Sequence, residues 1–355
     1  TAAGISSWKM MLGGDGTFAP IGRMGNDRIV YASSQYSTIV RNIVKPDGSV
    51  SKYGSGAIRP KNATPQFINP YILDPNNDSV MYYPASNVLW RHNNLYSIPL
   101  TGYDQIQGWQ QFSLPVTAGK YVSAIAASKG ASTRLYLGTS DGKVIRIDNA
   151  RTGTPAIQDI SVGKGFPAGA NVQSCAVDPT DPDKALVVFS NFKVQSLFYT
   201  TNGGTTWQPV GGNLEQNPDG SGNGPACFSA VIVNYQGQTT YFVGTDVGLY
   251  STTALNGTNT QWLLESGCAP GVQVRFLAKR DVDGTVAVGT YGAGAYTTQL
   301  GGAPPVSTVS LTGIVRENTS PLQPLQGVTV SLSNGAQTTT NAAGAYSFTN
   351  LPKGV

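Results

Sequence analysis

The amino-acid sequence predicts an all-β fold: a six-bladed β-propeller closed by an N-terminal strand and followed by a partial β-sandwich. Three observations support this prediction. One apolar β-run recurs six times along the chain, each repeat has room for four strands, and turn-forming residues are abundant. The 355 residues include 43 glycines, 22 prolines and 17 tyrosines. Such a mixture of turn formers and strand formers is typical of repeated short strands.

The composition narrows the class of protein further. Only 12% of residues are charged, against about 25% in an average protein. The 40% of apolar residues can fill a core, which argues against disorder. The net charge is +4 and no stretch of the sequence is rich in Lys or Arg, so nucleic acid is not an expected partner. No apolar run approaches the roughly 20 residues of a membrane span, so membrane insertion is not expected. Together with the start at Thr1, these features predict a mature extracellular or cell-surface product.

The recurring run is the second strand of each predicted blade. The six copies, about 50 residues apart, are Ile29–Ser33, Val80–Pro84, Leu135–Thr139, Leu186–Ser190, Tyr241–Thr245 and Val286–Thr290. A first strand precedes each run, as in Val172–Val177, and a short aromatic third strand follows, as in Leu197–Tyr199. Several fourth strands start at a tryptophan, as in Trp109–Phe112.

The two ends of the repeat region complement each other. The last repeat reaches Leu300 without a tryptophan-type fourth strand, and the N-terminus supplies an orphan of that type, Trp8–Leu12. Pairing of this strand with the last blade would close the ring and remove its open edges. The prediction is six blades, with seven or more as the alternative if further sequence precedes Thr1.

One turn carries a recognisable motif. Residues 200–207 read Thr-Thr-Asn-Gly-Gly-Thr-Thr-Trp, with Thr200, Asn202, Gly204 and Trp207 at the key positions. We expect Asn202 to bond backbone N–H groups of the turn and Trp207 to pack beneath it. The segment resembles the Asp box, Ser/Thr-x-Asp-x-Gly-x-x-Trp, with Asn in place of Asp.

This motif gives the chain a family resemblance. It resembles bacterial Asp-box (BNR) propellers, which include sialidases, two-propeller xyloglucanases, sortilin-like propellers and many secreted proteins of unassigned role. Three glycine-rich segments look like parts of the last group: 13–16, 244–248 and 289–294. The resemblance covers about 300 residues and implies a fold far more specifically than a function, since one fold hosts many activities.

A second domain is expected at the C-terminus. We predict boundaries at 1–300 for the propeller, 301–308 for a Gly/Pro linker and 309–355 for an incomplete β-sandwich. The segment from Val309 resembles a carboxypeptidase regulatory-like (transthyretin-like) domain, a spacer common in secreted Bacteroidota proteins. By analogy with that group, the resemblance implies export by type IX secretion and a natural protein that continues beyond Val355.

Ligands of propellers usually bind at one end of the ring, on loops between blades and between second and third strands. Aromatic rings there can stack on sugars, while amides, carboxylates and guanidinium groups hydrogen-bond them. The candidates are Asp15, Gln35, Tyr36, Arg59, Lys61, Tyr121, Asn191, Phe192, Asp246, Arg275 and Tyr291.

A catalytic reading is harder to support. Glycosidases use two carboxyl groups about 5–10 Å apart, and the chain has only three glutamates: Glu215, Glu265 and Glu317. Asp15, in a glycine-rich loop before the first blade, is a weak catalytic candidate. His92, the single histidine, follows an apolar run and is predicted to be structural, which excludes a multi-histidine zinc site.

The three cysteines suggest one disulfide and one buried thiol. Cys227 and Cys268 precede first strands of adjacent blades, so a disulfide between them suits an exported protein. Cys175 lies inside a first strand, where a buried free thiol is expected. No cofactor is expected. The Asp-Pro turns at 74–77 and 178–181 would offer oxygen ligands to Ca²⁺, but turn formation is their simpler role.

Three functions remain open at this point. The leading one is a non-catalytic extracellular propeller that binds a glycan or a protein as part of a larger surface protein. The alternative is a glycoside hydrolase, sialidase-like or half of a two-propeller xyloglucanase-like enzyme. The third is a self-assembling subunit of an extracellular filament or surface layer.

Overall fold

The computed structural model describes residues 10–54, 58–98, 108–268, 271–301, 308–319, 321–332 and 336–352. The chain forms two compact units, Thr1–Thr298 and Gln299–Val355. The first unit is a six-bladed β-propeller, as the sequence predicted.

The blades are named I to VI in chain order. Blade I comprises β1 (Ile21–Met24), β2 (Asp27–Ser34), β3 (Thr38–Val44) and β4 (Val50–Gly54). Blade II comprises β5 (Ile72–Asp74), β6 (Asn77–Ala85), β7 (Val88–His92) and β8 (Trp109–Ser113). Blade III comprises β9 (Val122–Ala127), β10 (Leu135–Thr139), β11 (Val144–Asp148) and β12 (Ala156–Asp159). Blade IV comprises β13 (Val172–Val177), β14 (Ala185–Phe189), β15 (Leu197–Thr200) and β16 (Gln208–Pro209). Blade V comprises β17 (Cys227–Tyr235), β18 (Gln238–Thr245), β19 (Gly248–Thr252) and β20 (Leu263–Leu264). Blade VI comprises β21 (Val274–Arg280), β22 (Thr285–Thr290) and β23 (Ala295–Gln299).

Every blade is an antiparallel sheet whose strands pair in chain order. The six predicted recurring runs overlap β2, β6, β10, β14, β18 and β22, the second strands, which confirms the repeat. First strands of neighbouring blades contact one another, as β9, β13, β17 and β21 do, so they form the wall around the central axis. The helical content of the described ranges consists of four short 3₁₀ turns: Gln35–Ser37, Leu95–Ser97, Gly212–Leu214 and Gly257–Asn259.

The core lies between blades rather than at one centre. Separate clusters of buried side chains join blade I to II, II to III, III to IV and IV to V. The last of them includes Trp262, whose indole Nε1 donates to the carbonyl of Val210 at 2.9 Å. Because each blade is covered on both faces, its second strand is apolar along most of its length.

Arginines on third strands join one blade to the next. Arg91 on β7 is 1% exposed and donates to the carbonyls of Ala150 (2.6 Å) and Gly153 (2.7 Å), in the turn after β11 of blade III. Arg41 on β3 donates in the same way to the carbonyl of Leu95 at 2.7 Å, and Arg146 on β11 reaches Gly203 of blade IV at 2.7 Å. Each guanidinium therefore satisfies carbonyl groups that a turn would otherwise leave unbonded.

Aspartates of the Asp-Pro turns provide a second kind of link. Asp74 is 1% exposed and accepts from the hydroxyls of Tyr82 and Thr133, each at 2.6 Å. Since Thr133 belongs to blade III, this carboxylate joins blades II and III. Asp178 likewise accepts from Asn234 Nδ2 of blade V at 2.8 Å. These aspartates order their turns, as their position in the sequence predicted. The contacts that they make with the next blade were not predicted.

The predicted closing strand, Trp8–Leu12, lies partly outside the described residues, which begin at Met10. Of its described part, Met10–Leu12 form no strand, and the carbonyl of Met11 accepts from Asn42 Nδ2 on blade I at 3.5 Å. Among the described residues, blade VI has three strands, and all five residues of β23 are exposed.

The second unit contains two small antiparallel sheets. One pairs β24 (Thr308–Ile314) with β27 (Ala345–Pro352), and the other pairs β25 (Thr329–Ser331) with β26 (Gln337–Thr339). The linker residues 302–307 lie outside the described residues, and the assignment of this unit as a β-sandwich stays a prediction. In the described parts of the chain, no helix has the length and apolar character needed to span a membrane.

Candidate functional site

The two ends of the propeller differ in chemistry. We call one the aromatic end: it carries the loops that follow second strands and the residues that precede first strands. The opposite, ion-paired end carries the turns between first and second strands and between third and fourth strands. Seven of the eight ion pairs among the described residues lie at the ion-paired end.

A recurring backbone hydrogen bond builds the aromatic end. In blades III to VI, the residue after the second strand donates its N–H to the carbonyl of a residue just before the first strand. The pairs are Ser140 to Tyr121 (3.0 Å), Ser190 to Asn171 (3.2 Å), Asp246 to Ala226 (3.1 Å) and Tyr291 to Gln273 (2.8 Å). This bond brings the two kinds of loop together, so that side chains far apart in sequence share one surface.

Exposed aromatic side chains gather on this surface. They are Tyr36 (55% exposed), Phe67 (46%), Tyr121 (37%), Phe192 (62%) and Tyr291 (77%). Rings exposed to this degree on neighbouring loops are costly unless they serve contacts with a partner. An array of flat apolar faces with polar edges suits the stacking of sugar rings.

The first blade fixes its aromatic residue with unusual backbone geometry. Tyr36 and Ser37 have positive φ values of 54° and 55°, which non-glycine residues adopt rarely. The Tyr36 N–H donates to the carbonyl of Phe67 at 2.9 Å, and their rings meet edge to face at 5.2 Å between centroids. Arg59 Nη1 donates to the Tyr36 carbonyl at 3.0 Å, so this arginine supports the loop. Strain held in this way is common at functional loops.

The remaining predicted residues lie at the same end in different roles. Asn191 Oδ1 accepts from the Asn171 N–H at 2.7 Å, so its carbonyl group is committed to the loop. The Asp15 N–H donates to Gln35 Oε1 at 2.9 Å, which holds the glycine-rich loop beside blade I. Asp246 keeps a buried Oδ1 atom with no hydrogen-bond partner among the described residues.

A central cavity of about 490 Å³ runs between the first strands. Arg275 and Tyr121, both predicted, line it, and so do Gln173 and Phe228, which were not predicted from the sequence. Their sequence signal was available, because each stands within two residues of the start of a first strand. The predicted ligand residues therefore share an end, while the cavity adds first-strand positions to them.

Two acidic side chains lie near the buried thiol of Cys227. Burial raises the pKa of the Glu215 carboxyl, although the Ser196 N–H donates to its Oε1 at 2.7 Å. Burial also raises the pKa of the Cys227 thiol, and the charges of Glu215 and Asp246 add to that effect. Glu215 and Asp246 therefore both lie near Cys227, and burial raises the pKa of the Glu215 carboxyl.

Substitution of Glu215 by glutamine is expected to change how stability depends on pH. A carboxyl with a raised pKa in the folded state stabilises the fold when protonated, so the wild-type loses stability as pH rises through and above the ordinary value of 4.5. The neutral amide can still accept from Ser196 and lacks this loss. In urea unfolding from pH 4 to 8, the free energy of unfolding of Glu215→Gln should rise relative to that of the wild-type as pH increases. Glu317→Gln, in the second unit, serves as control, and parallel curves for Glu215→Gln and wild-type would contradict the prediction.

The predicted disulfide between Cys227 and Cys268 is wrong. All three cysteines are free thiols. The Cys227 side chain is fully buried in the core between blades IV and V, where its Sγ faces the Pro225 carbonyl at 3.9 Å. Cys268 instead lies in a partly exposed turn after β20. Cys175 is buried and free, as predicted, and burial raises its pKa to about 12.

The motif at 200–207 forms a tight hydrogen-bonded turn at the ion-paired end. Asn202 Oδ1 accepts from the Thr206 N–H at 2.9 Å, and the Thr200 hydroxyl accepts from the Gly204 N–H at 3.0 Å. The Trp207 ring packs against Phe166, with centroids 5.3 Å apart. This turn is remote from the aromatic end, and its assignment to the Asp-box class stays a prediction.

His92 and the metal candidates have structural surroundings. His92 is buried, its Nδ1 accepts from the Asn94 N–H at 3.2 Å, and its ring meets Trp109 edge to face at 5.2 Å. Within the ranges that the structure describes, no group of three or more His, Cys, Asp or Glu side chains could hold a metal ion.

Comparison with known proteins places the fold and leaves the function open. No protein-family model matches the chain, and no curated protein matches it. Among solved structures, it is similar to the GH74 xyloglucanase of Xanthomonas campestris, with a TM-score of 0.52 and 14% identity over 83% of this chain. A GH74 enzyme of Niastella koreensis is also similar, with a TM-score of 0.41 and 14% identity over 78% of this chain.

These likenesses define a class by its fold. The chain spans 46% of the length of the xyloglucanase and 52% of the Niastella enzyme. At 14% identity, the first of these supports the propeller fold alone. Altogether 605 chains of solved structures match, so the architecture is widespread and selects no single activity.

Proposed function

We propose that this protein is an extracellular carbohydrate-binding propeller without catalytic activity, which acts as a module of a larger secreted or cell-surface protein. The observation that carries the proposal is the set of five exposed aromatic rings at one end of the ring of blades. Stacking on sugar faces would bury these rings while leaving the sugar hydroxyls to polar groups of the same loops.

The distribution of charge supports carbohydrate over a charged protein partner. Ion pairs are concentrated at the opposite end, whereas the aromatic end presents exposed rings, amides and hydroxyls with single charged groups such as Arg275 among them. One fold neighbour is a GH74 xyloglucanase, which is consistent with a glycan as ligand but adds no argument about the site.

A glycoside hydrolase is the second candidate. The observation in its favour is the raised pKa of Glu215 together with the unpartnered Oδ1 of Asp246, both near Cys227. An acid with a raised pKa and a second carboxylate are the components that such enzymes need. Against it, Glu215 already accepts a hydrogen bond from the Ser196 backbone, and the described lining of the central cavity contains no carboxylate.

Binding of soluble oligosaccharides tests the proposal directly. Titration calorimetry should detect binding to at least one member of a panel of plant and bacterial oligosaccharides. Tyr121→Ala and Phe192→Ala should each weaken binding about 5- to 10-fold, since one stacked ring contributes about 1 kcal/mol. Tyr235→Ala, a half-buried ring at the end of β17, beside the turn to β18 at the ion-paired end, is the matched control and should bind like wild-type.

The same panel separates binding from hydrolysis. Unchanged oligosaccharides after long incubation would agree with the non-catalytic role. Release of shorter products that is abolished by both Glu215→Gln and Asp246→Asn would establish the hydrolase instead. Wild-type affinity in both aromatic variants would show that the ligand binds elsewhere and would contradict the proposed site.

A further inference from the structure

The central cavity has an unbalanced charge. Its lining includes two cations, Arg275 and Lys279, and no carboxylate among the described residues. Along β21, Arg275, Leu277 and Lys279 alternate with more exposed residues, and all three line the cavity. Arg275 lies toward the aromatic end and Lys279 toward the ion-paired end.

The two cations differ in the hydrogen bonds and ion pairs that they form within the fold. Lys279 Nζ donates to the carbonyl of Ile232 and forms an ion pair with Asp281 at 3.1 Å, so its charge is balanced within the fold. Arg275 has neither a hydrogen bond nor an ion pair with any described residue. Its guanidinium lies over the ring of Phe228, 4.3 Å from the centroid. Stacking of this kind orients the guanidinium and leaves its N–H donors available at the ring's edge.

Neighbouring donors complete the mouth of the cavity. Gln173 Oε1 accepts from Asn171 Nδ2 at 2.9 Å, which fixes the amide and leaves its NH₂ group without a partner among the described residues. The Tyr121 hydroxyl likewise has no partner in the described chain, and its ring is one of the exposed aromatics. Arg275, Gln173 and Tyr121 therefore present hydrogen-bond donors to one cavity.

We propose that this mouth binds the carboxylate of an acidic sugar, so that the protein recognises uronic-acid-containing polysaccharides. The inference rests on the proposed carbohydrate-binding function and specifies its ligand. A planar guanidinium matches a carboxylate with two parallel hydrogen bonds. The amide and the phenol, which line the same cavity, would bond its remaining lone pairs or the adjacent hydroxyl, and the Tyr121 ring would stack on the sugar face. A neutral sugar would leave the Arg275 charge in the cavity unbalanced.

Calorimetry with trigalacturonic acid and its fully methyl-esterified counterpart tests the inference. The two probes share ring shape and hydroxyls and differ in charge. Wild-type protein should bind the acid at least tenfold more tightly than the ester, and Arg275→Gln should remove that preference by weakening binding of the acid far more than binding of the ester. Arg275→Lys should retain part of it, because the charge persists but the bidentate geometry does not. Arg280→Gln, an exposed cation at the ion-paired end, is the matched control.

The outcomes separate the two proposals. The acidic-sugar inference would be overturned if wild-type bound acid and ester equally, or if Arg275→Gln weakened binding of both equally. Carbohydrate binding itself would still be supported if Tyr121→Ala weakened binding of both probes. Tighter binding of a sulfated trisaccharide than of trigalacturonic acid would also overturn it, in favour of a sulfate site. Failure of all three probes and of the neutral panel would overturn both proposals. An unchanged melting temperature of Arg275→Gln ensures that lost preference reflects the site.

Discussion

Arg91→Ala is expected to lower the free energy of unfolding by about 3–4 kcal/mol. The side chain is buried between blades II and III and donates to the carbonyls of Ala150 and Gly153. Its Nε also donates to Gln110 Oε1 at 3.1 Å, and its guanidinium lies 4.9 Å from the centre of the Phe112 ring. Truncation leaves two carbonyls without donors and opens a cavity, so that two separate penalties add.

Denaturant unfolding followed by tryptophan fluorescence measures this effect. Arg280→Ala is the matched control, since that arginine is exposed and pairs only locally with Asp283 and Thr285; its effect should stay within about 0.5 kcal/mol. If Arg91→Ala changed stability as little as the control, the third-strand arginines would not be what joins successive blades.

Asp74→Ala is expected to cost about 3 kcal/mol of stability. The carboxylate is buried and accepts from Tyr82, Thr133 and the Asn76 N–H, the last at 2.8 Å. Asn76 Nδ2 also donates to it, at 3.1 Å, so its removal leaves four donors without their acceptor at the contact between blades II and III. Asn76, which reaches the Ser128 carbonyl at 3.2 Å, would lose its anchor as well.

Asp74→Asn distinguishes hydrogen bonding from packing, because the amide has nearly the same shape but only one acceptor oxygen. We expect it to recover part of the stability that Asp74→Ala loses. Asp178→Ala should show a comparable loss at the contact between blades IV and V, where Asn234 is the donor. Full stability in Asp74→Ala would contradict the role assigned to the Asp-Pro turns.

The blade repeat was predictable because burial on both faces leaves a strong signal. Second strands such as Leu135–Thr139 are buried at every position, and this yields a continuous apolar run that any propeller of this kind must repeat. Fourth strands were harder: Gln208–Pro209 and Leu263–Leu264 contain only two residues each, since they lie at the periphery, where less burial constrains them.

The links between blades escaped prediction although they too repeat. Arg41, Arg91 and Arg146 stand at equivalent third-strand positions, yet a lone arginine in an apolar run resembles a solvent-facing residue in sequence. Which carbonyls it satisfies depends on the neighbouring blade and cannot be inferred from local pattern. The sequence alone likewise does not determine which blade the run Trp8–Leu12 joins, since a tryptophan-containing run has no local feature that chooses between two blades.

The end of the ring that holds the predicted ligand residues was predictable from topology, because loops after second strands share one side. Their individual roles were not. Arg59 and Asn191 support loops, whereas Gln173 and Phe228 reach the cavity from first strands. The predicted Cys227–Cys268 disulfide was wrong because two cysteines on adjacent blades need not point toward each other. The sequence does not show that the Cys227 side chain points into the core between blades.

Hydrogen–deuterium exchange of the full chain, with and without trigalacturonic acid at saturating concentration, tests most directly whether the aromatic end binds carbohydrate. The account predicts slower exchange in peptides that contain Tyr121, Phe192 and Tyr291, with no change in the turns at Asp74, Asp178 and Asn202. Slower exchange confined to those turns or to the unit Gln299–Val355, with the aromatic end unchanged, would contradict it.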